Sequence, residues 1–174
     1  RKQTSKRLFE DMTASGQGNL HWNPIENPSL KSTLPEHNIS NFNLASKDKD
    51  RYFTVCLKNK SRLTALKNWL FSDANKAKQL KILIIDDEAD QASVNTKPIE
   101  GEEYTAINKL IRQIVNTNKV AGMNYISYTA TPYANVLNET SVASLYPTDL
   151  IVLLEPSEDY IGPRQLFGTE IPEV

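Results

Sequence analysis

Four carboxylates, Asp86, Asp87, Glu88 and Asp90, fall within five positions of "KILIIDDEADQAS", directly after an aliphatic run. Crowded carboxylates disfavour one another's ionisation. A hard divalent cation such as Mg²⁺, which takes oxygen ligands, offsets that repulsion. A strand that delivers such residues to a sheet edge beside a phosphate is the Walker B arrangement. There the first Asp helps to hold Mg²⁺, usually through water, and a following Glu takes a proton from the attacking water. The register is ambiguous by one position, since Asp86 directly follows the apolar run while Asp87 and Glu88 form the Asp-Glu pair. Asp87 is assigned here to the metal, Glu88 to the base, and Asp86 to support at the metal. The plainer alternative is an acidic turn that ends a strand.

A second polar cluster, "YTATP", brings the hydroxyls of Thr129 and Thr131 to the end of another apolar segment. Alone, these hydroxyls do no more than cap a strand end. Paired with the acidic tip, they offer Asp90 a hydrogen-bond donor, and a bond between neighbouring strand tips is a route for sensing a bound nucleotide.

The elements that must position both clusters follow from periodicity. Residues 4–13 space Leu8, Phe9 and Met12 as a helix. The stretch 15–49 is rich in Asn, Pro, Ser and Gly and reads as a long loop or insertion. "RYFTVCLK" is a strand, followed by a helix with Ser61 as its N-cap and Leu63, Leu66, Trp69 and Leu70 on one face. "KILIIDD" carries an unbroken aliphatic run, Ile82 to Ile85, as strands covered on both faces tend to do. A helix with Ile107, Leu110, Ile111 and Ile114, then the strands "AGMNYISYTATP" and "DLIVLLEP", complete the pattern. Alternating strands and helices predict an α/β domain with a mostly parallel sheet, whose ligands collect at the carboxyl ends of the strands.

The 174 residues suit a single domain, 1–174, with an acidic tail over 155–174. The net charge of −1 gives no long-range attraction to nucleic acid or membrane, but its distribution is uneven. Residues 47–81 hold ten Lys or Arg against three Asp. Within that block Lys58, Lys60, Arg62 and Lys67 are the candidates for contact with a nucleic-acid backbone, against the simpler alternative of a solvated helix face. The single cysteine, Cys56, excludes an internal disulfide and reads as a small buried thiol. No apolar stretch has the length of a membrane span, and no secretory signal is visible; the cytoplasm is the expected compartment.

"DEAD" at Asp87–Asp90 and "TAT" at Thr129–Thr131 resemble motifs II and III of superfamily-2 helicases, in the first RecA-like domain. The longer strings "LIIDDEADQASVNT" and "YISYTATPYANVLNE", with "VCLKNKSRLTALKNWL" and "DYIGPRQLFG", resemble the Z-one domain. That family comprises endonuclease-associated domains of bacterial proteins with a helicase-type ATPase. The resemblance covers most of the chain. It implies a three-layer RecA-like fold of the P-loop NTPase type, an incomplete first helicase-type domain, and Mg²⁺ and ATP as cofactors. It also implies DNA as partner, in a defence or restriction system, with a second RecA-like domain and nuclease subunits or domains elsewhere.

The phosphate-binding loop G-x-x-x-x-G-K-[ST] has no counterpart, because no Gly-Lys pair occurs in the chain. Its expected place is upstream of Arg1, and this piece alone is expected not to hydrolyse ATP efficiently. Two other classes compete. A metal-dependent nuclease would use the same four carboxylates around divalent ions. Such sites add a Lys or His, and the local sequence offers only Lys97; His21 and His37 lie in no metal-ligand spacing. A non-catalytic interaction module would use Trp22 and the 15–49 segment, with Trp69 better suited to a core. If the basic block touches DNA, affinity falls with salt at a log–log slope of roughly −0.9 per neutralised phosphate. Charge reversal at Lys58, Lys60, Arg62 and Lys67 should flatten that slope in a binding titration, and an unchanged slope removes the contact.

Overall fold

The computed structural model describes residues 2–14, 20–44, 50–90 and 106–131, together with 145, 147, 149–155, 157, 159, 161 and 168. Its elements in chain order are helix α1 (Lys2–Thr13), strand β1 (His21–Pro24), strand β2 (Asp50–Phe53), helices α2 (Lys60–Leu70) and α3 (Ala74–Ala77), strand β3 (Lys81–Asp86), helix α4 (Ala106–Val115) and strand β4 (Gly122–Ser127). Two short 3-10 turns, Pro35–His37 and Ile39–Asn41, lie between β1 and β2. The class is α/β. Among the described residues the strands form two parallel pairs, β1 with β2 and β3 with β4.

Both pairs share one core. Ile25, Ile39 and Phe42 pack with Trp69, Leu70, Leu80 and Ile114, and Tyr52, Ile82, Ile84 and Met123 close around them. Three of these core residues come from the stretch that composition marks as a loop or insertion. The Trp69 indole N–H donates to the His37 carbonyl at 2.7 Å, and the Lys76 ammonium to the Phe42 carbonyl at 2.6 Å. Phe42 also stacks on Tyr52, with centroids 3.8 Å apart, and meets Trp69 edge-on. Strand β1, only four residues long, is too short for a period-2 pattern to reveal it.

Several boundaries differ from those the sequence suggests. The cap of α2 is Asn59, whose side-chain oxygen accepts the Arg62 amide at 3.0 Å, not Ser61. Strand β2 stops at Phe53, so residues 54–57 leave the ladder and Cys56 is half-buried. "KILIIDD" is covered on one face only: Ile82 and Ile84 point to the core, while Leu83 and Ile85 are 57% and 60% exposed. Residues 150–155, expected as a fourth strand, belong to no strand, and Leu150 to Leu154 are exposed. Burial of β3 on both faces would need a covering layer on the outer side of Leu83 and Ile85, and a fourth strand would need ladder hydrogen bonds. Neither is present among the described residues. No helix among them is long and apolar enough to cross a membrane.

The fully buried Ile39 tests whether the 20–44 segment belongs to the cooperative unit. Ile39→Ala should cost about 2–5 kcal/mol in denaturant unfolding. A loss near zero would mean that this segment unfolds independently of the β3–β4 unit.

Candidate functional site

Strand β3 ends at Asp86, in register with Ser127 of β4. The chain then makes a tight turn through residues 87–90. The ladder closes on both sides of this turn: the Tyr128 amide donates to the Asp86 carbonyl at 2.8 Å, and the Ala89 amide to the Tyr128 carbonyl at 2.9 Å. Glu88 sits at φ +51°, in the left-handed region that costs a residue with a Cβ about 1–2 kcal/mol. Its amide donates to Asp87 Oδ1 at 3.1 Å. The Asp87 and Glu88 side chains are exposed, whereas Ala89 beside them is buried.

Asp86 has a different environment. It is only 8% exposed, and both carboxylate oxygens are engaged. Oδ1 accepts from the Lys58 ammonium at 2.7 Å, and Oδ2 from the Tyr125 hydroxyl at 2.7 Å. Lys58 Nζ also donates to the carbonyls of Asp87 at 2.9 Å and Glu88 at 2.8 Å. Hydrogen bonds to a charged group contribute about 1.5–3 kcal/mol each, enough together to outweigh the left-handed cost at Glu88. Removing one partner of so buried a pair costs about 3–5 kcal/mol, because the other charge stays desolvated.

One of the crowded carboxylates, that of Asp86, is therefore met by a cation of the chain itself. Lys58, a candidate for nucleic-acid contact by its charge block, faces Asp86. Asp86, a candidate metal ligand, is held between an ammonium and a phenol. The exposed acids of this turn are Asp87 and Glu88.

At the neighbouring tip, the Thr131 hydroxyl donates to Asp90 Oδ2 at 2.6 Å, and the Thr131 amide to Thr129 Oγ1 at 3.0 Å. The structure thus brings Asp90, Thr129 and Thr131 together. The Thr131 hydroxyl, and after it that of Thr129, holds the Asp90 carboxyl below its ordinary value of 3.8. Lys60 and Arg62 are exposed on the first turn of α2. Lys67 lies two turns further along and donates to Gln113 on α4 at 2.9 Å, away from the acidic turn. His21 lies 3.5 Å from Asp50, and His37 bonds Ser32. Lys97 lies outside the described residues.

Two residues of the site escape a sequence reading. Tyr125 is an ordinary strand aromatic until the parallel register sets it on the inward face, one step below Asp86. Lys58 carried a signal in its basic block and its place after the "TVCL" segment, but not its pairing with Asp86 at the end of β3. Among the described residues, no group of three or more His, Cys, Asp or Glu side chains converges as a metal cage. No protein-family model, curated protein or solved structure matches this chain.

Asp90 carries a pH signature. Because folding depresses its pKa, its ionised form favours the fold above the ordinary carboxylate range, and that contribution is lost as the pH falls through the depressed value. Thr131→Val should raise the Asp90 pKa back toward 3.8 in a carboxyl-detected NMR titration. An unmoved titration would show that the hydroxyl bond is not the cause.

Proposed function

We propose that this chain is part of a RecA-like, superfamily-2 helicase-type domain that acts on DNA with Mg²⁺ and ATP. It contributes the carboxylate half of the nucleotide site. The observation that carries this reading is the pair of adjacent parallel strand tips. One presents exposed Asp87 and Glu88, and the other is joined to the same turn through Thr131 and Asp90. In this reading Asp87 holds Mg²⁺, usually through water, and Glu88 accepts the proton of the attacking water. Asp90 and Thr131 couple the site to the neighbouring strand. The phosphate-binding Gly-Lys loop comes from a segment other than this one, as does a second RecA-like domain. The Z-one resemblance adds an endonuclease-associated setting.

A second reading, a metal-dependent nuclease, gains from Lys58, since nuclease sites combine carboxylates with a lysine. Two observations weigh against it. Lys58 is already directed at Asp86 and two carbonyls. Asp86 is likewise engaged by Lys58 and Tyr125, which leaves two exposed acids. Mg²⁺ needs only one or two carboxylates where substrate phosphates and water complete its shell. That favours a nucleotide-borne metal over a cage built by the protein.

The test compares the 174-residue chain with an intact protein that supplies the Gly-Lys loop. The chain alone should show no efficient ATP turnover. The intact protein should show Mg²⁺-dependent turnover that Glu88→Gln lowers by about 100-fold or more. Robust turnover by the chain alone, or Mg²⁺-dependent DNA nicking without nucleotide, would overturn the assignment.

A further inference from the structure

Lys58 lies far in sequence from the one carboxylate it meets, that of Asp86, and its role exceeds that of a counter-charge. An ammonium carries three N–H donors. The three acceptors around Lys58 Nζ are Asp86 Oδ1, the Asp87 carbonyl and the Glu88 carbonyl, at 2.7, 2.9 and 2.8 Å. Consecutive carbonyls thus turn toward one cation, and the residue between them, Glu88, takes the left-handed conformation. The opposite side of the turn is tied to β4 through the Ala89 amide.

We propose that Lys58 is a positioning residue for the acidic turn: its three-way donation orients the Asp87 and Glu88 peptides and so aims their exposed carboxylates. The functional part of this proposal rests on the nucleotide reading above, while the placement of the turn does not. A neutral side chain at 58 leaves a carboxylate and two carbonyls facing one another without a donor. Arginine restores the charge, but its planar fork does not converge on three acceptors around one point as a compact ammonium does. A counter-charge alone would be satisfied by either cation.

Amide hydrogen exchange on the 174-residue chain separates these roles. In Lys58→Met, the Ala89 amide should exchange about tenfold faster or more, while amides in the middle of the β3–β4 ladder keep their protection. Lys58→Arg should also leave Ala89 fast, and it decides the matter alone if the methionine variant does not fold. In the intact protein, Lys58→Met should lower kcat by about 100-fold with the nucleotide KM nearly unchanged, as expected for misaimed groups. Unchanged exchange at Ala89 in the variants, a uniform rise across the ladder, or full rescue by arginine would overturn the proposal. Faster Ala89 exchange in a protein whose wild type hydrolyses no nucleotide would support the placement of the turn and sink the nucleotide reading instead.

Discussion

The contact on which the rest of this site depends is the ammonium of Lys58 against the buried carboxylate of Asp86. Without it, a strand ending in three consecutive acids would place one of them against the core with no opposite charge. With it, Asp86 is neutralised in place and the next two residues are released to the surface. The same contact ties the chain leaving β2 to the tip of β3, so the two parallel pairs are joined at the site as well as through the core.

That division of labour separates acids that are adjacent in sequence. Asp86 points inward and is saturated by Lys58 and Tyr125. Asp87 and Glu88 occupy a turn that carries one left-handed residue, a cost borne because Lys58 and the Ala89 amide hold the turn from both sides. Asp90 then faces the next strand tip through Thr131. Four acids that are neighbours in sequence are, in three dimensions, one buried acid held by Lys58 and Tyr125, two exposed acids and one acid bonded to Thr131.

The core has its own asymmetry. The inward face of β3–β4 is covered by α4, α2 and the segment between β1 and β2, while Leu83, Ile85 and Ile126 remain exposed on the other. The covered face includes a stretch rich in Pro and Asn. Ile39 and Phe42 are single apolar residues set among polar ones, and no periodicity marks them. Their burial depends on partners such as Trp69 and Lys76, which lie 27 and 34 residues beyond Phe42.

Local chemistry made some of this legible. The helical spacing of Ile107, Ile111 and Ile114, the apolar run before Asp86, and the hydroxyl and carboxyl residues that follow two apolar segments can all be read from neighbouring residues. The α/β class and the candidacy of Asp87, Glu88, Asp90 and Thr131 therefore follow from sequence alone. Which acid is buried, which cation meets it, and where β2 ends do not. Those depend on the parallel register that sets Tyr125 beneath Asp86, and on the path that brings Lys58 to the tip of β3 across twenty-eight positions. Side-chain type states what a residue is able to bind, but only packing determines which partner arrives within 3 Å, because desolvation makes an unpaired buried charge too costly to leave.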